Sequence, residues 1–506
     1  MFSPMNPGDY RREYAAYSAA LARAHYEYHT GRTTELRLSP LRDRYDDLWT
    51  RAAVADLERA HRDTPTQFET ERTARQRLLA VARLGYAELS AREVTDELRR
   101  CERAAHVEWM GTRRPAADAP ELIACEPDAT NRRELSARWL DAGAACADLR
   151  AARLVALRAA NVALDLARDE ADKANEATLT AQAATLLART ETVYDARLHE
   201  WAALHLPPQY ARAPVFADGL FFARLAWLDQ FFPLAEWPAG YNAALAGLGI
   251  RVAQQLNLRV EWPTQSTRPI AATYFGLEPP ADVRLVAGTR SGAQLFSRFF
   301  QAAGCAQQLA WVSHDLAARY PEFVHAPDAT TRVGYGFLFR YLLHDEAWLG
   351  EYCGLKPSAA RAVARDLALV ELHDARRCCA QGQYQTALAG APDVRAERLA
   401  AEYAAAHTEA TGFRHEPALY LQDASEHADA ATANLRARLF AAALGEYLRA
   451  RHGRRWWTTR AAGDELIDLW NTGARYTVEE LAALVGAGAL DVELLAEHLL
   501  TAVAET

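Results

Sequence analysis

Apolar residues recur at three- and four-residue spacing along most of this 506-residue chain. The pattern covers residues 10–29, 43–62 and 70–110, and it continues through the long segment 132–204, where glycine and proline are sparse. This spacing places the apolar side chains on one face of a helix, so each segment is expected to form a helix that packs against its neighbours. The period changes between residues 266 and 290, and the sequence therefore predicts a mainly helical protein with one small β-sheet.

The predicted sheet consists of two short stretches, RPIAATYF and ADVRLVAG, which are separated by GLEPP. Both stretches contain β-branched and aromatic residues in rough alternation, which predicts an antiparallel pair of strands. The linker LPPQYARAPVFAD is the best internal boundary, and it divides the chain into an N-terminal helical lobe, residues 1–205, and a second lobe, residues 206–506. Near the C-terminus, Thr477 and Glu480 have the spacing of a capping box that begins a helix.

Composition and charge narrow the possible function classes. The formal net charge is −9, which disfavours general nucleic-acid binding because that function needs a basic face. No run of about 18 uncharged apolar residues occurs, and the first residues lack the apolar segment of a signal peptide, so we expect no membrane association. The seven cysteines are odd in number and form no CxxC motif, which argues against a disulfide framework and favours a reducing, cytoplasmic location.

One predicted helix, QLFSRFFQAAGCAQQLAWVS at residues 294–313, carries polar residues where a zinc peptidase carries metal ligands. In an HExxH helix the two histidines lie one turn apart and bind one metal ion, while the glutamate activates a water molecule. The corresponding positions here are Gln301, Ala302 and Cys305. Glutamine is a poor zinc ligand, alanine cannot act as a base and one thiol is not a site, so this helix predicts no zinc and no other cofactor.

Several stretches occur in the order of a known family. They are DVRLVAGTRSGAQLFSRFFQAAGCAQQ, TTRVGYGFLFRYLLHDEAWL, ATGFRHEPALYLQD, ANLRARLF and RRWWTTRAAGDELIDLW. Over about residues 265–506 they resemble the zinc helix, the third-ligand helix, the late tyrosine-bearing segment and the C-terminal helices of the oligoendopeptidase F and thimet-oligopeptidase-type metallopeptidases. The resemblance implies a zincin-like, two-lobed helical shell around a deep cleft.

The same resemblance implies a degenerate family member. The third zinc ligand falls on Val333, and the late aromatic positions fall near Asp429, Ala430 and Asn434. Framework residues are retained around them, namely Gly304, Phe337, Leu338 and Trp348. The resemblance therefore implies that the shell persists without its metal and without peptidase activity.

New polar groups near the former metal centre are candidates for other chemistry. The residues expected to be catalytic are Asp429, His427 and His325. The residues expected to bind substrate are Arg332, Tyr335, Gln301, Cys305, Arg290, Ser291 and Asn434. For each of them an ordinary structural role stays open: the charged groups can be solvated surface residues, and Cys305 can be a small buried apolar group.

Two functions remain open at this point. The first is a non-proteolytic biosynthetic enzyme that acts on an amino-acid-derived natural-product intermediate, free or bound to a carrier protein. An amine would lose its proton to Asp429 and displace a neighbouring sulfate, which His, Arg and Ser donors would hold, so that an aziridine forms. This reaction is similar to that of the aziridine-forming components of azinomycin-type pathways. The second is a catalytically silent binding subunit for a peptide, a carrier-bound intermediate or a small partner protein.

Overall fold

The structure is a computed structural model that describes residues 6–164, 170–262, 270–325, 328–424 and 430–504. Helices predominate throughout these ranges, and the strands are short. The predicted mainly helical fold with a small β-sheet is therefore confirmed. Among the described helices, none combines the length and the apolar character that crossing a membrane requires.

The α-helices follow one another along the whole chain with short connections. They are α1 (Pro7–His29), α2 (Ser39–Arg44), α3 (Arg51–Arg62), α4 (Glu69–Ser90), α5 (Arg92–Ala104), α6 (Ala119–Cys125), α7 (Ala129–Ala144), α8 (Ala147–Ala163), α9 (Glu170–His205), α10 (Pro208–Ala211), α11 (Phe216–Arg224), α12 (Trp237–Gly247), α13 (Ala293–Ala310), α14 (His314–Arg319), α15 (Thr330–Tyr341), α16 (Glu346–Tyr352), α17 (Pro357–Gly390), α18 (Glu397–Thr411), α19 (Ala430–His452), α20 (Arg460–Trp470), α21 (Val478–Leu484) and α22 (Val492–Ala504). The predicted capping box begins α21, where the Glu480 carboxylate accepts from the Thr477 backbone N–H at 2.8 Å.

The strands form one hairpin and one three-stranded sheet. They are β1 (His106–Trp109), β2 (Thr112–Pro115), β3 (Leu258–Glu261), β4 (Thr273–Glu278) and β5 (Asp282–Val286). The predicted antiparallel pair is β4 with β5, and its register pairs Tyr274 with Leu285. Two features differ from the prediction: β3 adds to the other edge of β5 in parallel, and the end of the expected helix 70–110 is the strand β1, which pairs with β2.

The chain divides into two compact units, each assembled from three segments. The first unit contains Met1–Leu89, Asp229–Ala360 and Arg436–Leu490, and the second contains Ser90–Leu228, Arg361–Leu435 and Asp491–Thr506. The sequence pattern instead suggested two continuous lobes that meet after residue 205. That division into an N-terminal lobe and a catalytic lobe stays a prediction.

The core of the first unit is built around α13. Phe296, Phe299 and Phe300 lie three and four residues apart on this helix, and all three are buried. The Phe296 ring packs 5.2 Å from that of Trp237, and the Phe300 ring packs 5.0 Å from that of Trp348. Because aromatic side chains bury a large apolar area, these contacts fix the position of α13 among its neighbours.

The helix α13 also packs directly on α15, through two glycines. A Cβ atom on Gly304 would lie 2.5 Å from the carbonyl oxygen of Tyr335, and one on Gly336 would lie 2.9 Å from that of Gln301. Only glycine permits two backbones to approach this closely. The close packing brings the polar residues of α13 against those of α15.

The second unit has its own apolar core and one disulfide. Its core includes Leu135 and Tyr403, which are buried on α7 and α18. Cys101 and Cys146 form a disulfide with their Cα atoms 6.0 Å apart. The sequence argument against disulfides is wrong for this pair, because 45 residues separate the two cysteines and only the fold brings them together.

Candidate functional site

The candidate site lies in the first unit, where α13 faces α15. Gln301 and Cys305 are one turn apart on α13 and both point towards α15. The side-chain oxygen of Gln301 accepts a hydrogen bond from the Arg340 guanidinium at 3.3 Å. The Gln301 amide oxygen, the better donor to a metal in that side chain, is therefore already engaged by a cation.

Cys305 is buried, and its thiol is held in the protonated form. The sulfur donates to the backbone carbonyl of Arg332 at 3.4 Å and also contacts the phenol of Tyr274. Burial raises the pKa of the Cys305 thiol to about 12, because a thiolate loses its hydration in this environment. A protonated thiol is neither a zinc ligand nor a nucleophile at neutral pH.

The third position predicted from the resemblance, Val333, is half-buried on α15 and has only a hydrocarbon side chain. An amide bound to arginine, a protonated thiol and a valine do not fit a zinc ion, which is bound by thiolate, imidazole and carboxylate groups. Among the residues that the structure describes, no group of three or more His, Cys, Asp or Glu side chains is placed to bind a metal ion.

Arg332 is the cation at the centre of this site. Its Nε donates to the Gln308 side chain at 3.2 Å, and its Nη2 donates to the Val324 carbonyl at 2.6 Å. The Tyr274 phenol is a further neutral partner. No carboxylate of the described residues forms an ion pair with Arg332, so none of them neutralises its charge directly. A half-buried guanidinium with only neutral partners attracts an oxyanion.

His325 lies close to Arg332 and is held neutral. The Tyr14 hydroxyl donates to the His325 carbonyl, and the two rings meet edge to face with their centroids 6.4 Å apart. Burial, and then the charge of Arg332, lower the pKa of His325 to about 4. At neutral pH the imidazole is therefore uncharged and only weakly basic.

Glu322 is an acidic residue of this region that the sequence analysis did not single out. It is fully buried, and its Oε1 accepts from the Nε of Arg11 at 2.7 Å. Its Oε2 has no hydrogen-bond partner among the described residues. Burial outweighs the attraction of Arg11 and raises the pKa of Glu322 to about 7, which is the range that suits a general acid or base. The only sequence signal was an acid inside the apolar stretch YPEFVH.

The remaining predicted site residues are placed in different environments. Tyr335 is fully buried, and its ring packs 5.4 Å from that of Phe440, which favours a core role. Arg290 and Ser291 are exposed in the segment between β5 and α13, and Asn434 is exposed on α19 in the second unit.

Two of the three predicted catalytic residues, His427 and Asp429, lie outside the described residues. The structure brings together His325, Arg332, Gln301 and Cys305 in the first unit. It also adds Tyr274, Gln308 and Glu322 to them.

Solved structures of similar fold include metallopeptidases. The M32 carboxypeptidase from Deinococcus radiodurans R1 has a TM-score of 0.58 at 13% identity, with 98% of each chain covered. Trypanosoma cruzi metallocarboxypeptidase 1 has a TM-score of 0.61 at 12% identity, over 98% of this chain and 99% of that one. A structure of PZ peptidase A with inhibitor 2 has a TM-score of 0.65 at 12% identity, over 97% of this chain and 91% of that one.

Sequence comparison adds no closer relationship: no family model and no curated protein matches the chain. Identities of 12–13% show a shared fold and not a shared activity. The chain therefore has the zincin-like, mainly helical fold of these metallopeptidases.

Proposed function

We propose that this chain is a metal-free, non-proteolytic protein that retains the metallopeptidase fold and binds a small anionic substrate beside α13 and α15. The observation that carries the proposal is the site of Arg332, whose guanidinium has neutral partners and no carboxylate partner among the described residues. A zinc ion is bound by several anionic or neutral donor groups that surround it. The guanidinium of Arg332 is itself a cation, so it repels a metal ion and attracts an oxyanion.

More specifically, we propose a biosynthetic enzyme that closes an aziridine on an amino-acid-derived natural-product intermediate, as in azinomycin-type pathways. The amine nitrogen attacks the neighbouring carbon that carries a sulfate ester. A C–N bond forms, the C–O bond breaks, and sulfate leaves with the bonding electron pair. The amine proton passes to a base, for which Asp429 is the candidate, with His427 beside it. The reaction needs no water, metal or redox partner.

The electrostatics of the described residues support this reaction class. We propose that Arg332 neutralises the developing charge on sulfate and that the Tyr274 hydroxyl, which contacts Arg332, is a second donor. His325 is uncharged at neutral pH because burial lowers its pKa to about 4, so it serves as a hydrogen-bond donor rather than as a second cation. We propose that the protein acts in the cytoplasm, on a free or carrier-bound substrate.

The first test separates this proposal from peptidase activity. The purified full-length chain should contain less than stoichiometric zinc by mass spectrometry after dialysis against zinc-containing buffer. It should also leave a mixture of oligopeptides and carboxypeptidase substrates uncleaved. One bound zinc ion per chain, or peptide cleavage that chelators abolish, would overturn the proposal.

The second test measures turnover of a vicinal amino sulfate ester of an amino acid. Sulfate release by ion chromatography and the mass of the product distinguish ring closure from hydrolysis, since hydrolysis adds water. Arg332→Gln should lower kcat/KM by about 100-fold, the loss expected from removing one charged donor to a leaving group. Asp429→Asn should abolish turnover. Arg251, an exposed arginine of the same unit, provides the control: Arg251→Gln should leave turnover unchanged.

A binding subunit without catalysis remains the second candidate. The polar groups of the site are bonded to one another, as in the Gln301–Arg340 and Gln308–Arg332 pairs, which is typical of a packed structural core. In that case sulfate esters would bind without turnover, or not at all. Variants of Arg332 would then change the retention of a peptide, a carrier-bound intermediate or a small partner protein, and no chemical step.

A further inference from the structure

A cavity of about 340 Å³ lies in the first unit between α14 and the turn that follows α20. It shares no residue with the site of the proposed function. Its lining residues are Ser313, Asp315, Leu316, Arg319, Tyr320, Asn471, Thr472, Arg475 and Tyr476. The volume is that of a pocket for a small molecule.

The two walls of the cavity are joined by backbone hydrogen bonds at both ends. The Ser313 N–H donates to the Asn471 carbonyl at 3.2 Å, and the Ala474 N–H donates to the Phe323 carbonyl at 2.7 Å. Gly473 has a φ of +59°, and a Cβ atom there would lie 2.7 Å from the Phe323 oxygen. The walls are therefore held at a fixed separation, and a ligand would not have to order them.

The charged groups of the cavity favour an anion. Arg319 and Arg475 both line it, and neither forms an ion pair with a carboxylate in the described part of the chain. Asp315 is the one acid among the lining residues, so the lining carries a net positive charge. Two guanidinium groups that form no ion pair with a described carboxylate are suited to binding carboxylate or phosphate oxygens.

The other lining residues favour a ligand with an apolar body. Leu316, Tyr320 and Tyr476 contribute apolar surface, and the Arg475 guanidinium lies 4.9 Å from the centre of the Tyr476 ring. This cation–π contact holds the charge beside the aromatic surface. The side-chain amide of Asn471 makes no hydrogen bond with another described residue, so both its donor and its acceptor are available to a ligand.

We propose that this cavity binds a small organic anion. Arg319 and Arg475 would hold its oxyanion, and Tyr320 and Tyr476 would pack against an aromatic or aliphatic body. The chemistry shared by the possible ligands is an oxyanion attached to an apolar group. Whether that oxyanion is a phosphate or a carboxylate is decided by the probes below.

The test is isothermal titration calorimetry of the purified full-length chain with four probes: phenyl phosphate, benzoate, inorganic phosphate and phenol. We expect phenyl phosphate or benzoate to bind more tightly than either inorganic phosphate or phenol, because only they satisfy both parts of the cavity. The tighter of the two identifies the oxyanion. The proposal would be overturned if neither phenyl phosphate nor benzoate bound at millimolar concentration. It would also be overturned if phenol bound as tightly as the tighter of these two anions.

Charge variants show whether the binding occurs at this cavity. Arg319→Gln and Arg475→Gln should each weaken binding about tenfold, since each removes a charge-assisted contact. Asp315→Asn should tighten binding about twofold, because it removes a repelling carboxylate. Arg251→Gln, which removes an equal charge from the same unit outside the cavity, should have no effect.

These variants also distinguish local loss from misfolding. A gain in Asp315→Asn cannot result from partial unfolding, and circular dichroism of the arginine variants monitors their fold. Equal weakening in Arg251→Gln, or unchanged affinity in both cavity arginine variants, would contradict the assignment. Sulfate-ester turnover should persist in all of the cavity variants. If the cavity bound no anion, the proposed function could therefore still be tested independently by its turnover assay.

Discussion

Replacing Gly304 by alanine tests the packing that organises the first unit. The new Cβ atom would lie 2.5 Å from the Tyr335 carbonyl oxygen and 3.0 Å from the Cα atom of Gly336. These obstacles are backbone atoms of α15, which cannot rotate away as a flexible side chain would. The two helices must therefore move apart by about half an ångström or more before the contact becomes tolerable.

Two opposing terms set the size of this effect. Alanine is favoured over glycine inside a helix by about 1 kcal/mol. Overpacking of a close contact costs about 1–3 kcal/mol, and the upper part of that range applies where backbone meets backbone. Gly304→Ala should therefore lower the free energy of unfolding by about 1–2 kcal/mol, although the substitution improves helix propensity.

Gly382→Ala is the matched control in this measurement. Gly382 lies inside α17, and its nearest neighbour in space would be the Ala431 Cβ atom at 4.0 Å, so alanine should stabilise the chain by up to about 1 kcal/mol. Chemical denaturation, monitored by tryptophan fluorescence and circular dichroism, gives the free energy of unfolding of both variants. If Gly304→Ala gained as much stability as Gly382→Ala, the close packing of α13 on α15 would be refuted.

Three other positions give predictions that can be measured directly. Burial raises the pKa of Glu322 from 4.5 to about 7, so the folded chain retains a proton that the unfolded chain releases, and the free energy of unfolding should fall by about 3 kcal/mol as the pH rises between these values. Denaturation curves of the wild type at several pH values should show this fall. If a Glu322→Gln variant showed the same pH dependence of the free energy of unfolding, a group other than Glu322 would be responsible. Iodoacetamide should label the exposed Cys125 in the folded chain and Cys305 only after unfolding, as mass mapping would show; native labelling of Cys305 would contradict its burial. Gly473→Ala should lower the free energy of unfolding by about 1–3 kcal/mol and weaken phenyl phosphate binding, because its φ of +59° disfavours a side chain; calorimetry with unchanged affinity would show that this turn does not shape the cavity.

Much of the fold was predictable because its signals are local. The spacing of apolar residues gave the helices, and the Thr477–Glu480 capping box lies where it was expected. The alternation at 266–290 gave the β4–β5 pair. The parallel strand β3 was missed because its partner follows in the chain only after a long interval, and four residues of strand give a weak periodic signal.

The candidate site was predictable only in part. Gln301 and Cys305 were identified because the helical period places them on one face, and both lie against α15. The roles of Glu322 and Tyr274 could not be predicted, since each depends on residues that are distant in sequence. Tyr335 illustrates the converse: its place in the motif suggested substrate contact, but the Phe440 and Trp470 rings enclose it.

By itself, the sequence determined that the chain is mainly helical and that Gln301, Ala302 and Cys305 follow one another on one helix, where none of them is a strong metal ligand or a base. Those properties follow from periodicity and from the chemical identity of single residues. The tertiary structure decided the charge states and the partners. It left Arg332 with neutral hydrogen-bond partners among the described residues, kept His325 uncharged, raised the pKa of Glu322 and placed Arg319 and Arg475 in the lining of one cavity. These outcomes depend on burial and on contacts between distant segments, and neither quantity can be derived from one stretch of sequence.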